Sequence, residues 1–280
     1  MDKSRLVEKI LDLIKTTVTK LPEDVEQALL ALPDSPIVEV MKETMAISGG
    51  HALPICQDTG YPYFLVKLAP ADLGYYRLIE ESVSEALVRA TLEGFLRPNA
   101  VDPLTQRNPG NNLGPGLPYI EWELGSQEGS WLYLLLKGGG SENVSAQYAL
   151  PFSAAGAGRD IRGVINTLLY HVEQIQGHGC SPGILGVGIG GDRSLSMKLA
   201  KKQLFRSIND INPDENLRKI EDEVLARANK LGIGPMGLGG ESTLLSVKAG
   251  AAARHPASFY VSVAYLCWVA RRGACPLNMS

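Results

Sequence analysis

The cysteines of this 280-residue chain are scattered, and the scatter limits what the chain can build around them. Cys56 lies in Pro54-Ile55-Cys56-Gln57-Asp58-Thr59-Gly60, Cys180 in Gly179-Cys180-Ser181-Pro182-Gly183, and Cys267 in Leu266-Cys267-Trp268-Val269-Ala270-Arg271-Arg272. No CxxC occurs, so the local chelate of a zinc ribbon or a ferredoxin loop is absent. If these thiolates share one object, the whole fold must bring them to it. A four-iron cube held by three protein thiolates keeps one iron open to a substrate. The bland alternative is three small buried apolar side chains, which is what cysteines outside disulfides usually are.

Four cysteines in so long a chain are too few for a disulfide scaffold and point to a reducing cytoplasm. Hydrophobic residues at 45% and charged residues at 20% are the proportions of an ordinary globular protein. A net charge of −3 makes no electrostatic case for nucleic acid or an anionic membrane. The amino terminus leads into an amphipathic pattern and not into a signal-type apolar block. No stretch approaches the ~20 apolar residues that span a bilayer.

The first fifty residues read as helices. Leu6, Val7, Ile10, Leu11, Ile14 and Val18 recur at helical spacing. Pro22 and Pro36 stand where a first helical turn tolerates proline, Ser35 serves as a cap, and Gly49-Gly50 is expected to end the third helix. A strand is expected over Tyr63–Leu68 and a long helix from about Asp72 to Gly94. Arg97 to Pro118, rich in Pro, Asn and Gly, reads as an irregular loop on the surface or lining a site. Tyr119–Leu124 and Trp131–Leu136 read as a strand pair around Gly125-Ser126-Gln127-Glu128-Gly129. Helices follow at about Arg159–Gln176, from near Ser194, and over Pro213–Lys230, and a strand over Ser258–Leu266 ends at Cys267. The expectation is a single mixed α/β (α+β) domain over residues 1–280. Its helical amino-terminal segment covers about 1–50, and a mixed sheet flanked by helices then carries the cysteines on loops.

Several motifs admit two readings. Asp58-Thr59-Gly60 is an ordinary turn in which aspartate bonds its own backbone, or a proton-transfer group two residues from a metal ligand. Lys137-Gly138-Gly139-Gly140-Ser141 is a flexible turn, or a nest of backbone N–H groups for an anion. Gly186-Val187-Gly188-Ile189-Gly190-Gly191 satisfies GxGxxG before an expected helix, the basis of a competing dinucleotide-binding reading. Against it, the segment some ~20 residues on, near Asn209 and Asp210, is not the end of an apolar strand. A further alternative is an electron carrier that ligates every iron, with Cys275 as the fourth thiol.

Taken in order, six blocks resemble the α-type half of class I fumarate hydratases and the related L(+)-tartrate dehydratases. They are Pro54 to Gly60; Arg97-Pro98-Asn99 with Arg107 to Asn112; Lys137 to Asn143; Cys180 to Asp192; Gly234 to Gly240; and His255 to Arg272. The resemblance implies a hydro-lyase that most simply hydrates fumarate to L-malate, with tartrate or mesaconate as alternative substrates. It implies a [4Fe–4S] cluster on Cys56, Cys180 and Cys267, one iron open, and Cys275 a spectator. By the same resemblance Asp58 serves acid/base chemistry. Gln57, Arg107, Gly139 and His255 contact a small dicarboxylate, Arg107 as the bidentate clamp. Arg271 and Arg272 are weaker candidates. Single-chain members continue into a β-type domain, so the resemblance implies a separate β subunit and an α2β2 heteromer.

Overall fold

The apolar spacing at the amino terminus forms helix α1 (Lys3–Thr19) in a computed structural model that describes residues 2–279. Asp2 caps it, its carboxylate accepting from the Arg5 N–H at 2.9 Å, which satisfies one of the orphan donors of the first turn. Helices α2 (Glu23–Leu30) and α3 (Pro36–His51) follow. Ser35 Oγ accepts from Val38 N at 3.4 Å, the cap expected before Pro36. Gly49 and Gly50 do not end α3, which runs on to His51.

The remaining elements, in order, are β1 (Tyr61–Leu68), α4 (Tyr76–Leu92), β2 (Tyr119–Leu124), β3 (Trp131–Lys137), α5 (Gly139–Asn143), β4 (Ala146–Ala149) and α6 (Ile161–Ile175). Then come β5 (Gly183–Gly190), α7 (Arg193–Gln203), α8 (Glu215–Asn229), β6 (Leu244–Ala252), β7 (Tyr260–Leu266) and β8 (Arg271–Pro276). Two mixed four-stranded sheets with helices make this the α+β architecture the sequence implies. No helix among the described residues is long and apolar enough to cross a membrane.

The chain divides into two compact units, each made of separated segments. The first holds the segment up to Pro22, Glu43–Gly138 and the chain from Arg271 onward. Its sheet has the order β2-β1-β3-β8, with β1 and β2 parallel and the other neighbours antiparallel. Phe64, Val66 and Leu68 of β1 and Leu132, Leu134 and Leu136 of β3 are fully buried in one core with Leu6, Ile10 and Ile14 of α1 and Ile79, Val83 and Leu87 of α4. The expected pairing of Tyr119–Leu124 with Trp131–Leu136 is therefore corrected: both strands exist, but β1 lies between them. The physical reason is burial. Of the three, β1 is closed to solvent over nearly its whole length, so it takes an inner position where both edges bond.

The second unit holds Glu23–Lys42 and Gly139–Ala270, with sheet order β4-β7-β5-β6. Strands β5 and β6 are parallel, and β7 runs antiparallel to both β5 and β4. Strand β5 was hidden in the sequence because four of its eight residues are glycine, which weakens the strand signal. Packing explains two of them. A Cβ at Gly186 would lie 2.2 Å from the Ala200 carbonyl oxygen and one at Gly188 1.9 Å from that of Ser196, both in α7. These glycines let helix and strand backbones touch, and that is their role here in place of phosphate binding. The amino terminus of α7 is also taken: the Asp192 carboxylate accepts from Leu195 N at 2.7 Å, so a phosphate has no vacant helix end there.

Gly188→Ala is expected to cost about 1–3 kcal/mol or more in urea melts, since backbone must move to admit the methyl group. Gly50→Ala, with nothing within 4 Å of the added carbon in α3, should instead stabilise by about 0.5–1 kcal/mol. Equal midpoints for the two variants would refute the close-packing account of β5.

Candidate functional site

In the first unit the turn from α3 into β1 is anchored before it reaches Cys56. Ile55 N donates to Val18 O at 3.0 Å, and the Ile55 side chain is buried. Cys56 and Asp58 are half-buried and Gln57 is exposed. Asp58 Oδ1 accepts from Gly60 N at 2.9 Å, the self-bonded turn that its sequence allows. Its other oxygen faces the end of β3: a Cβ added at Gly138 would lie 3.0 Å from Asp58 Oδ2. The carbonyl oxygen of Asp58 accepts from Arg271 Nη1 at 2.6 Å.

Thr59 is buried, and its Oγ1 accepts from Arg97 N at 2.9 Å and from Asn99 Nδ2 at 3.2 Å. Asn112, also buried, accepts from Asn99 N at 2.8 Å and donates to Arg97 O at 2.8 Å and Thr91 Oγ1 at 2.9 Å. The segments around Arg97 and Asn112 thus close on the residue after Asp58. Buried amides with every polar atom engaged hold a loop more firmly than apolar contact alone.

Arg107 makes no bond of its own to this knot, but its neighbour Asn108 donates Nδ2 to Pro98 O at 2.6 Å. Residues 102–107 fold back on themselves, with Asp102 N donating to Arg107 O and Gln106 N to Asp102 O, each at 2.9 Å. Arg107 is exposed and lines a surface pocket of about 460 Å³ with Asp102, Thr105, Asn108 and Pro115. The arginine tied by its backbone to Thr59 is Arg97, which sequence reasoning passed over although it stood in the same block.

The second unit brings Cys180 and Cys267 together. Cys180 has a left-handed backbone, φ 56°, unusual for a side-chain-bearing residue. Its N–H donates to Gly177 O at 2.9 Å and its carbonyl accepts from Trp268 N at 3.2 Å, the residue after Cys267. Ser181 follows, before a cis Ser181–Pro182 bond. Its Oγ donates to Gly234 O at 2.6 Å and its carbonyl accepts from Met236 N at 2.8 Å. Cys267 is buried, and its N–H donates to Ser141 Oγ of α5 at 3.2 Å. Four glycine-rich or cysteine blocks far apart in sequence meet here.

Tyr265 of β7 is 1% exposed and lies under both cysteine segments. Its ring is so close to Gly179 and Gly183 that an added Cβ would come within 2.4 Å and 2.1 Å of it. Burial first, and then the neighbouring Cys267 and Cys180, push its phenol well above the usual tyrosine range.

The Lys137–Ser141 turn is not wholly loop, because Gly139 begins the short helix α5. His255 is exposed, its Nδ1 accepting from Ala257 N at 3.1 Å. It precedes β7, and Cys267 follows β7, so the strand separates them by on the order of 20 Å. Within its unit, His255 is not brought to the cysteine pair. None of the four cysteines is in a disulfide. Among the described residues no group of three or more His, Cys, Asp and Glu side chains is gathered as a metal site. Cys56 belongs to one unit, Cys180 and Cys267 to the other.

Cys275 differs from the other three. It packs against the α1–α4–sheet core, and burial pushes its thiol up to about 11. At pH 8 about one molecule in a thousand then carries the thiolate. Alkylation of Cys275 by iodoacetamide should therefore keep rising through pH 10, where an ordinary thiol of pKa near ~8.5 has levelled off. A plateau by pH 9 would show that the side chain is solvated and not packed against that core.

A model of the family described as fumarate hydratase (Fumerase) matches residues 7–275. A Geobacillus stearothermophilus protein named as a class I fumarate hydratase is 47% identical over 279 residues, 96% of this chain and 54% of its own length. This chain therefore spans about half of that relative. A Methanocaldococcus jannaschii protein named as an L(+)-tartrate dehydratase subunit alpha is 34% identical over 278 residues, 96% of each chain. The Escherichia coli K12 L(+)-tartrate dehydratase subunit alpha is 29% identical over 278 residues, 96% of this chain and 90% of its own.

Proposed function

The chain belongs to the fumarate hydratase (Fumerase) family, and on that premise we propose that it is the α-type subunit of an iron–sulfur hydro-lyase that reversibly hydrates fumarate to L-malate. The observation that carries the reading is the convergence of matched blocks on the cysteine loops. The Cys180 carbonyl accepts from the residue after Cys267, and Ser181 is bonded to the Gly234–Met236 turn. The reading takes the two units as one catalytic domain, threaded by a chain that passes between them at Pro22, Lys42, Gly138 and Ala270.

The donor set fits a [4Fe–4S] cluster. Three thiols lie in separated loops, no CxxC offers a local chelate, and two of the loops are joined by hydrogen bonds. Cys56, Cys180 and Cys267 would hold it. When bound, it supplies through its fourth iron a Lewis acid for the substrate's hydroxyl and adjoining carboxylate.

Hydration adds hydroxide at one alkene carbon and a proton at its neighbour, and dehydration reverses both. Asp58, its carboxylate aimed by the Gly60 N–H bond to Oδ1, gives and takes the proton. Gln57 and the backbone of Gly139 bind and orient the dicarboxylate. An arginine fork holds the other carboxylate with two parallel hydrogen bonds. Arg107 has the resemblance in its favour, while Arg97 has its backbone bonded to Thr59. His255 is kept in the set on the resemblance alone, since its own strand carries it away from Cys267.

The relatives matched over nearly their full length are named as alpha subunits, which supports a separate β-type partner, assembled as α2β2, completing the pocket. Fumarate is preferred over tartrate because the 47% relative carries that name. Cysteine usage supports a cytoplasmic setting.

The test is anaerobic co-expression with a β-type partner, cluster reconstitution, and assay against fumarate, malate, mesaconate and tartrate. Fumarate and malate should give the highest kcat/KM; turnover of tartrate alone would move the assignment to the tartrate branch. Serine at Cys56, Cys180 or Cys267 should remove the brown visible absorbance, and serine at Cys275 should leave it. Activity should fall in air and return with ferrous iron and thiol. Full activity after aeration and chelation would count against iron as the Lewis acid.

Lysine in place of the clamping arginine keeps the charge and loses the fork. A charge-assisted hydrogen bond contributes roughly 1.5–3 kcal/mol, so KM should rise on the order of ten- to a hundredfold with iron content unchanged. Arg97→Lys and Arg107→Lys measured side by side decide which arginine it is. Wild-type KM in both would remove the clamp from this subunit.

A further inference from the structure

The first unit contains a buried cation that the chemistry above does not use. Arg271, the first residue of β8, is 1% exposed. One donor, Nη1, goes to the carbonyl oxygen of Asp58 at 2.6 Å. Its Nε is buried with no hydrogen-bond partner. Nη2 and Asp58 Oδ2 face one point: a Cβ added at Gly138 would lie 3.8 Å from the first and 3.0 Å from the second. Desolvating a guanidinium while leaving a donor unsatisfied is strongly unfavourable. An arginine serving only the sheet would run to the surface and keep its head in water. This one is held inside, against the loop that carries Cys56 and Asp58.

The register shows why the position matters. Arg271 pairs with Leu136 across β3 and β8, and β1, which leads out of the loop, pairs Tyr61 with Lys137 and Pro62 with Leu136. The end of β3 is thus the floor for the loop on one side and for Arg271 on the other. A planar fork can serve a backbone carbonyl and a neighbouring carboxylate at once, whereas an ammonium is a single point of charge.

We propose that Arg271 is a positioning residue that seats the Cys56–Asp58 loop against the end of β3 and fixes the direction of the Asp58 carboxylate. The proposal rests on the assignment of Asp58 to proton transfer in the reading above. It also makes a structural claim about Cys56 that can be measured separately.

The experiment uses Arg271→Met, which fills the volume without donors, and Arg271→Lys, which restores the charge. In the reconstituted enzyme with its partner subunit, Arg271→Met should lower kcat on the order of 10²-fold with KM within about twofold, as a misaimed proton-transfer group would. Arg271→Lys should recover part of that loss. In the cluster-free full chain, iodoacetamide should alkylate Cys56 severalfold faster in Arg271→Met than in wild type, read by peptide mass spectrometry. Cys275 serves as the control site and should not change. A folded Arg271→Met chain with wild-type kcat and wild-type Cys56 alkylation overturns the proposal. So does a loss of kcat that tracks the folded fraction alone, with no change in the rate at Cys56. If Arg271→Met does not fold, Arg271→Lys decides: lowered kcat at unchanged melting temperature and iron content supports positioning, and wild-type kcat overturns it. A wild-type enzyme with no hydratase activity would sink the proposed function, while the Cys56 measurement would still decide Arg271.

Discussion

The Cys180 turn depends on a constraint that no other part of its unit relaxes: the Tyr265 ring occupies the space beside the backbone at residues 179 and 183. Only glycine fits at either place. Cys180 between them takes a left-handed backbone, which costs a side-chain-bearing residue energy unless its surroundings over-determine it. They do. Its N–H is bonded within its own turn to Gly177, its carbonyl to Trp268, and the Ser181 hydroxyl and carbonyl both to the Gly234–Met236 turn. The thiol is thereby delivered next to the end of β7, where Cys267 stands.

The first unit solves a similar problem with polar groups. Its Cys56–Asp58 loop is short, with Cys56 and Asp58 half-buried and Gln57 exposed, so apolar packing has little to grip. Thr59, Asn99 and Asn112 supply a closed set of hydrogen bonds behind the loop, and Arg271 supplies a charged one on the Asp58 carbonyl. Such a network is worth more in a low-dielectric interior than at the surface, and costs more when a member is removed. The Cys56 thiol and the Asp58 carboxylate ride on this anchored loop, with the Arg271 cation held against it from β8; on the reading proposed above this aims the proton-transfer group, whose misplacement by an ångström would lower rates steeply.

Helices were the most legible elements. The 3.6-residue apolar period over α1 and the Ser35 cap before Pro36 are local signals, and both survive in the structure. Strands were read where side chains are large and β-branched, as in β1 and β7, and missed where they are not. Strand β5 is half glycine, and β8, Arg271-Arg272-Gly273-Ala274-Cys275-Pro276, resembles a loop. Both are strands because neighbours on either side or a helix above them supply what their own side chains do not. The β2–β3 pairing failed for a related reason: adjacency in sequence favoured a hairpin, and the burial of β1 overrode it.

By itself the sequence determined the family and the placing of three dispersed thiols with the residues around them, because these are matters of residue identity in order. It also determined that Asp58 can bond its own turn, a property of three consecutive residues. What only tertiary structure decided is proximity. Thr59 meets Arg97 and Asn112, Cys180 meets Trp268, and Asp58 meets Arg271 across 213 positions of chain. His255, chosen by its place in a block, stands away from Cys267 at the far end of β7 for the same reason: a block fixes order along the chain, whereas strand direction sets distance in space.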